Sequence, residues 1–592
     1  MDPVTAAGIG LSVTSIALQV FSGCIKGYQL FIDCRDLPVT YEHLRTRLRI
    51  EQTRCLQWGE SVGLLEDMLD EPSKLIQLHH NLIFDILQQV QSSFRSCLVV
   101  TTKFDPHIRN RSPSVLAPPQ TPIAPRKLSF LDRTLAFWEK GGRVAGRLEW
   151  AMLKKDGFEK LVVQLIEYNN RIETFLDRST LKDLRTMHVQ SNLVLLQVTD
   201  QVTQLRDLVQ ALKLGAPAAT TSGVQTLSRA STLVQEDDQG KGELTLLSLA
   251  TFKTHHLEMT KLNGSINIPM ISIASVKLDF VDQRSMRQFG RLGRRKVWLE
   301  WREDFGDFDM PADYAHKVDQ RIQALAAVLS AKDKPAEVCS PDCLGYVRTS
   351  DDKHGGADKF ALVLSQAKAA QDDTTLVSLR PLLNKRLGIA LDVRIALVKR
   401  LAEALLSLHA VNWIHKGICS DSILLQKSPN GFFIMKDPIL SGFETSRPAL
   451  PDEITVPYAR SEERDLYRHP DLHTMDSSRS KRSHDIYSFG LVMIEIALWR
   501  PIEQIVKLEV PLRRREIGKL RSAVLDDQNF VFADVAERVG WRYADVARAC
   551  ISGGKPIGII DDNDNEEDPA VGSRMISAFF ENILLELRAL VV

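Results

Sequence analysis

The stretch Leu408-His-Ala-Val-Asn-Trp-Ile-His-Lys-Gly-Ile-Cys-Ser-Asp-Ser-Ile-Leu-Leu425 holds a polar loop next to an apolar run. The run Ile423 to Leu425 has the length and composition of a buried strand. His415, Lys416 and Ser422 lie in the loop before it. Catalytic groups lie unusually often on loops that a rigid scaffold holds in place. This stretch has that arrangement of a polar loop beside an apolar strand.

The spacing of this stretch resembles the catalytic loop of protein kinases, H-R-D-L-x-x-x-N followed by an apolar strand. In that register His415 takes the His position, Lys416 the Arg position and Ile418 the Leu position. Gly417 stands where the family has its base Asp, and Ser422 stands where it has the Asn that holds a second magnesium ion. The resemblance implies a kinase-like fold without these catalytic groups.

Other kinase motifs follow downstream. The segment after the apolar run Phe432–Met435 aligns with D-F-G as Gly442-Phe443-Glu444, so a glycine replaces the magnesium-binding carboxylate. Tyr467-Arg-His-Pro-Asp471 resembles the A-P-E motif. Asp485-Ile-Tyr-Ser-Phe-Gly490 resembles the D-V-W-S-F-G helix start, where the resemblance implies that Asp485 braces the backbone of the catalytic loop.

Residues 243–366 read as a kinase small lobe. The strand candidates are Leu278–Val281, Lys296–Trp301, Cys343–Val347 and Phe360–Leu364, with a helix predicted over 312–330. The expected nucleotide-binding parts are missing. Gly290-Arg-Leu-Gly293 lacks the full G-x-G-x-x-G, Val297–Trp301 contains no lysine, and the helix contains no glutamate.

These losses predict a pseudokinase with no catalytic residue and no cofactor, because phosphoryl transfer depends on positioning and on neutralisation of charge by metal ions. The degenerate positions are Gly417, Ser422 and Gly442. His415, Lys416, Phe443, Asp471, Asp485 and Gly490 are then structural residues of the fold. The alternative is an active, divergent serine/threonine kinase, which would have to bind ATP and magnesium despite the losses.

The first 214 residues predict an all-α bundle. Apolar positions recur at helical spacing over 41–100 and again over 147–214, on both sides of a Pro-rich loop at 101–126. At the start of the chain, no charged residue lies between Asp2 and Lys26.

This bundle resembles the fungal HeLo domain, the prion-inhibition and propagation family. The resemblance is carried by Leu48-x-Ile50-x-x-x-Arg54-x-x-x-Trp58-Gly59, by Met1-Asp-Pro-Val-x-x-Ala7-Gly8, and by Trp150-Ala151 followed by Phe158 and Leu161. It implies a helical bundle whose apolar N-terminal segment is driven into membranes and kills the cell in non-self recognition, as in heterokaryon incompatibility.

The N-terminal segment allows two interpretations. It is either the first helix of the bundle or a helix that rests on the bundle and inserts into a membrane when released. The candidate residues for insertion are Ala7, Gly8, Ile9, Gly10, Leu11, Ile16, Leu18, Val20 and Phe21. The candidate bundle core consists of Leu48, Ile50, Leu56, Trp58, Trp150 and Phe158.

Composition narrows the functional class. The 592 residues are 44% hydrophobic and 25% charged, which is typical of a globular protein of several domains. Lys+Arg and Asp+Glu are 75 each, so the chain has no net positive charge that would attract nucleic acid. The 8 scattered cysteines do not form a disulfide framework, which indicates a reducing compartment.

The predicted fold is therefore multidomain: an all-α bundle (1–214), a linker (215–242), and a kinase-like α+β bilobal domain (243–592) with lobes divided near residue 366. We expect a cytoplasmic cell-death effector that relocates to the plasma membrane and self-associates on activation. A protein partner would act through the kinase-like domain. The further alternative is a scaffold whose domains only bind proteins.

Overall fold

The computed structural model describes residues 3–64, 74–98, 148–215, 238–261, 268–279, 287–302, 314–332, 334–351, 356–366, 375–385, 387–443, 446–448, 462–473, 479–508, 517–561 and 563–590. The predicted Pro-rich loop at 101–126 lies outside these residues, as does most of the predicted linker. The chain divides into two compact units: residues 1–192 with 206–247, and residues 193–205 with 248–592. We call them the N-terminal unit and the C-terminal unit.

The N-terminal unit is built on a bundle of four helices. These are α1 (Pro3–Ile32), α2 (Glu42–Ser61), α3 (Lys74–Cys97) and α4 (Lys155–Glu173). Helix α1 packs on α2 and α3, and α4 packs on the same two helices. Helices α5 (Arg178–Val198) and α6 (Val202–Gly215) follow, and α5 belongs to this unit up to residue 192.

Aromatic side chains fill the centre of the bundle. Phe31 stacks on Phe158 with ring centroids 6.2 Å apart, and Tyr28 meets Phe94 edge to face at 5.1 Å. Buried aromatic rings of this size supply much of the apolar contact that holds helices together. The residues proposed as bundle core are all buried: Leu48, Ile50, Leu56, Trp58, Trp150 and Phe158.

The C-terminal unit contains a five-stranded antiparallel sheet. Helix α7 (Asp238–Lys261) leads into it, and its strands are β1 (Val276–Leu278), β2 (Arg287–Leu292), β3 (Arg295–Trp301), β4 (Asp342–Asp351) and β5 (Gly356–Ser365). They lie in the order β1-β2-β3-β5-β4. Helix α8 (Tyr314–Ser330) connects β3 to β4 and packs on β4 and β5.

The rest of this unit is mainly helical. A small sheet contains β6 (Thr375–Ser378), β8 (Ile423–Lys427) and β9 (Phe433–Leu440) in the order β6-β8-β9, and β7 (Trp413–Ile414) pairs with β10 (Arg447–Pro448). The main helices are α9 (Leu391–Ala410), α10 (Arg482–Leu498), α11 (Leu520–Leu525), α12 (Val531–Val539), α13 (Trp541–Ser552) and α14 (Pro569–Phe579). Mixed helices and antiparallel sheets in this order are compatible with a bilobal domain.

Two local expectations differ from the structure. Helix α7 begins at Asp238, inside the predicted linker, and runs to Lys261 where strand-like sequence was expected. Of the strand expected at 278–281, residues 280 and 281 lie outside the described residues, and the described strand is β1, which begins earlier, at Val276, and pairs with β2. A run of only a few apolar residues does not fix strand ends, because the partner strand decides which backbone groups are paired.

Candidate functional site

The loop quoted at the outset lies between β7 and β8, and the side chain of Asp485 binds its backbone. The Asp485 carboxylate accepts the backbone N–H of His415 at 2.7 Å and that of Lys416 at 2.8 Å. Asp485 is the fourth residue of α10 and is buried. Two backbone donors on one buried carboxylate fix the loop rigidly.

The degenerate positions meet in space. A Cβ atom at Gly442 would lie 3.5 Å from Gly417 O, 3.5 Å from His415 Cε1 and 3.5 Å from Ser422 Cβ. The fold therefore brings together positions that are separated by up to 25 residues in the sequence. None of the three supplies a carboxylate or an amide side chain.

Ser422 is occupied by its own turn. Its hydroxyl donates to Cys419 O at 2.8 Å and accepts the backbone N–H of Cys419 at 3.0 Å. Both groups are buried. A hydroxyl used in this way closes the loop rather than offering an oxygen to a metal ion.

His415 is a packing residue. It is fully buried, and its ring meets Phe443 edge to face with centroids 4.6 Å apart. Phe443 in turn contacts Trp413 at 6.1 Å. Burial lowers the pKa of His415 to about 4, although Asp485 acts in the opposite direction. The imidazole is therefore neutral at physiological pH and belongs to an aromatic core.

An ion pair fills the space beside Gly442. Glu300 of β3 accepts the N–H of Gly442 at 3.0 Å and the indole N–H of Trp298 at 2.9 Å. Arg287 of β2 lies 3.5 Å from the Glu300 carboxylate and donates to Ser441 Oγ at 2.5 Å and to Asp421 O at 3.0 Å. Burial raises the pKa of Glu300, but Arg287 and the hydrogen bonds outweigh it and keep the group ionised.

The remaining candidates lie in the five-stranded sheet and in α8. Gly290 lies within β2, and Gly293 makes the β2–β3 turn with φ of 61°. Lys296 lies at the start of β3, paired with Arg291. In the predicted helix α8, Arg321 donates to Ser446 O at 2.7 Å. This is the helix in which the kinase pattern would have a glutamate partner for lysine.

The other motif residues of α10 and its neighbours are structural. Gly490 is required by close helix packing, because a Cβ there would lie 2.8 Å from the Cβ of Cys550. Asp471 lies in a short 3-10 turn, Pro470–His473, and its side chain is about half exposed. All 8 cysteines are free and buried.

Helix α1 carries the residues proposed for membrane insertion. The side chains of Ala7, Gly8, Ile9, Gly10, Leu11 and Ile16 lie outside the described residues. Leu18 and Val20 are half-buried, and Phe21 is buried with its ring 6.2 Å from that of Trp58. None of the helices that the structure describes is long and apolar enough to cross a bilayer.

Glycines let α1 approach its neighbours closely. A Cβ on Gly59 of α2 would lie 2.3 Å from the Phe21 ring, and one on Gly27 of α1 would lie 2.6 Å from the Phe94 ring of α3. Real Cβ atoms do not come this close, so both positions exclude alanine unless a ring moves. The seating of α1 depends on these two glycines.

Buried charges hold α2 to α4. Arg47 pairs with Glu51 at 2.7 Å, Glu51 with Arg54 at 3.1 Å, and Arg54 with Glu173 at 2.7 Å. Burial alone would raise the pKa of Glu51, but Arg54 and Arg47 lower it below its ordinary value. Removal of one partner would leave an uncompensated charge in the core, which commonly costs about 3–5 kcal/mol.

A polar cluster around residues 193–205 was not predicted from the sequence. Within the C-terminal unit, the fully buried Lys253 donates to Leu196 O at 2.7 Å, to Gln197 O at 3.2 Å and to Asp200 Oδ1 at 3.0 Å. Asn412 donates to the same Asp200 oxygen at 2.5 Å. We call this group of contacts the α5 clamp.

The α5 clamp holds the end of a helix. The carbonyls that Lys253 binds belong to the last turn of α5, where backbone oxygens have no partner within the helix. A cation is favoured there by the helix dipole. The local sequence around Lys253 does not indicate this role, because the residues that Lys253 binds lie more than 50 positions earlier in the chain.

Comparison with known families identifies the N-terminal part. Residues 8–208 match the model of the HeLo family, described as prion-inhibition and propagation. The predicted N-terminal HeLo domain is therefore confirmed, and at family level it is a domain of the cell-death and incompatibility type. The match ends before residue 248, where the larger part of the C-terminal unit begins, and the kinase resemblance of that part stays a prediction. The search of curated proteins gave no match.

Proposed function

We propose that this protein is a cell-death effector of the heterokaryon-incompatibility type, in which a membrane-active HeLo domain is restrained by a catalytically dead kinase-like domain. It resides in the cytoplasm, moves to the plasma membrane and self-associates when a protein partner engages the kinase-like domain. The family match over residues 8–208 supports the effector part.

The proposed executor is α1. Its first part is the uncharged run that starts at Pro3, and its described part is seated on α2 and α3 through close contacts at Gly59 and Gly27. A helix that is weakly apolar rather than strongly so favours insertion into the boundary of one leaflet, and several copies would be needed to permeabilise a bilayer.

The proposed absence of catalysis rests on the convergence of Gly417, Ser422 and Gly442 at one point without a metal-binding side chain. In kinases the nucleotide-binding lysine lies on the third strand. The third strand here is β3, and its buried ionisable side chain is Glu300, which is paired with Arg287. A glutamate beside the phosphate site would repel ATP.

The contacts of the α5 clamp support the proposed restraint. The HeLo match extends to residue 208, whereas residues 193–205 belong to the C-terminal unit and are fixed there by Lys253 and Asn412. Part of the HeLo sequence thus depends on the kinase-like unit for its polar contacts. A partner that shifts this unit would alter the end of α5.

The test uses full-length protein and dye release from anionic phospholipid vesicles. The variant Lys253→Met keeps the packing volume and removes the donors to α5, so we expect faster amide hydrogen exchange at 193–205 and greater dye release than in wild type. Lys182→Met, which alters an exposed lysine of the same helix, is the matched control.

The outcomes separate the candidate functions. Faster exchange without dye release would contradict the proposed restraint. If neither variant nor wild type releases dye at any protein concentration, the scaffold alternative is favoured. A fragment ending near residue 230 is a poorer test, because it lacks Lys253 and Asn412 and would expose the end of α5 for reasons unrelated to activation.

A further inference from the structure

A histidine–aspartate–histidine cluster lies away from the kinase-like loop. It consists of His469 and Asp471, beside and within the turn Pro470–His473, and His484 in the first turn of α10. One ligand atom from each residue can be chosen so that all lie within 4.8 Å of one another. The two imidazole rings are nearly parallel, with centroids 4.8 Å apart.

The proton positions favour a metal ion. His484 Nδ1 accepts the backbone N–H of Lys481 at 3.2 Å, so the neutral ring carries its proton on Nε2, which faces Asp471 Oδ2 at 3.8 Å. That distance is too long for a hydrogen bond, and the buried Nε2 atom has no hydrogen-bond partner. A polar atom that is buried without a partner is costly.

His484 is buried, with 4% of its surface exposed. A divalent ion would displace the Nε2 proton and give this nitrogen a partner. The Nδ1 contact to Lys481 N–H would then orient the ring from the opposite side, which is the common arrangement for a metal-bound histidine.

The distances suit a small tetrahedral ion. With metal–ligand bonds of about 2.0–2.1 Å, neighbouring ligand atoms lie roughly 3.3–3.4 Å apart. His469 Nδ1 is 3.4 Å from Asp471 Oδ2, and His484 Nε2 is 3.8 Å from the same oxygen. The two ligand nitrogens lie within 4.8 Å of each other, and because the rings are nearly parallel, one of them would turn so that both nitrogen lone pairs face the ion.

His469 already makes one contact within the cluster. The N–H of Asp471 donates to His469 Nδ1 over 3.3 Å, and this long contact would give way to the ion.

We propose that His469, Asp471 and His484 form a binding site for a Zn²⁺ ion. Two imidazoles and one carboxylate are a ligand set that zinc accepts, and the exposed side of Asp471 leaves the fourth position to water. The ion would fasten the turn Pro470–His473 to the start of α10.

The test is a titration of EDTA-treated, full-length protein with ZnCl₂ by calorimetry, with Co²⁺ absorption as a second readout of nitrogen and oxygen coordination. We expect one Zn²⁺ per chain that is absent or much weaker in Asp471→Asn and in His484→Asn. Loss of an outer-shell partner already weakens a metal site by about 10–100-fold, so loss of a direct ligand should cost at least as much.

The controls keep the result interpretable. His484→Asn retains an acceptor for Lys481 N–H, and Asp471→Asn keeps the size and shape of a half-exposed side chain while removing its charge. His255→Gln removes a histidine outside the cluster and should bind Zn²⁺ as wild type does. The proposal is overturned if wild-type protein binds no Zn²⁺, or if Asp471→Asn binds it with unchanged stoichiometry and affinity.

Discussion

At the scale of single residues, the C-terminal unit has side chains that shape the loop before β8 and has no metal-binding side chain at the positions where the kinase resemblance predicts one. Asp485 binds two loop amides and His415 packs on Phe443, whereas Gly417, Ser422 and Gly442 meet without a metal ligand. Bracing is a matter of shape, and catalysis is a matter of charge at defined atoms. The first can persist when the second is gone.

Glu495 is a buried carboxyl group of this unit whose protonation depends on folding. Its Oε1 accepts the hydroxyl of Tyr467 at 2.7 Å and the N–H of Ile502 at 2.8 Å, while its Oε2 atom has no partner. Burial raises the pKa of Glu495 from its ordinary 4.5 to about 7, and the hydrogen bonds and Arg380 only reduce that rise. The folded state therefore holds this proton more tightly than the unfolded state does.

We predict that Glu495→Gln removes a pH dependence of stability. Between pH 4.5 and about 7 the folded chain binds more protons than the unfolded chain at this site, so its contribution to the free energy of unfolding is present at low pH and is lost as pH rises. A shift of this size corresponds to about 3 kcal/mol. In calorimetry, the Tm of the variant minus that of wild type should be more positive at pH 7.5 than at pH 5.

Glu537→Gln, at an exposed position of α12, is the control for this measurement. Its Tm difference from wild type should be the same at both pH values. A constant difference for Glu495→Gln as well would mean that Glu495 is ionised in the folded protein across the whole range.

At the scale of elements, the N-terminal bundle is held by close contacts rather than by one strongly apolar helix. Phe21 of α1 lies over Gly59 of α2, and the Arg47–Glu51–Arg54–Glu173 chain of ion pairs fixes α2 to α4. The position of α1 is therefore sensitive to single atoms at its interface, which a releasable helix requires.

We predict that Gly59→Ala loosens α1. The new Cβ would lie 2.3 Å from the Phe21 ring, and overpacking of this kind typically costs about 1–3 kcal/mol. Amide hydrogen exchange in the described part of α1 should become faster than in wild type. If α1 is the membrane-active element, dye release from anionic vesicles should rise in parallel.

Gly157→Ala is the matched control, because it also places alanine in a helix of the same bundle. Its nearest neighbours would be Lys154 Cβ at 3.4 Å and Cys97 Sγ at 3.8 Å, which are ordinary contacts. Alanine favours a helix over glycine by about 1 kcal/mol, so this variant should be neutral or more stable. Unchanged exchange of α1 in Gly59→Ala would show that the helix is not seated by this contact.

At the scale of the whole molecule, the proposal joins a HeLo domain to a unit that binds and does not catalyse. We predict that full-length protein shows no magnesium-dependent rise in Tm with ATP. The double variant Gly417→Asp/Ser422→Asn should also show none, because it still lacks a carboxylate at Gly442 and keeps Glu300 paired with Arg287. A rise in wild type would instead support the active-kinase alternative.

Much of the architecture could be read from the sequence because it depends on local patterns. Helical spacing predicted the bundle around Trp58. The strand-helix-strand order predicted the sheet that contains β3 and the helix α8 that packs on this sheet. Of the stretch Gly290–Gly293, only Gly293 lies in the turn between β2 and β3, whereas Gly290 is paired within β2. Helix α7 was missed because its start lies in a small, polar stretch without an apolar period.

The sequence by itself determined that the first part of the chain is a HeLo domain, and it predicted a kinase-like loop without a base or metal ligands, because both depend on residue types at fixed spacing. Only the tertiary structure decided that Arg287 pairs with Glu300, that Lys253 holds the end of α5, and that His469, Asp471 and His484 meet. The reason is physical. A buried charge or imidazole needs a partner within a few ångströms, and which residue lies there depends on how distant elements pack rather than on any local period.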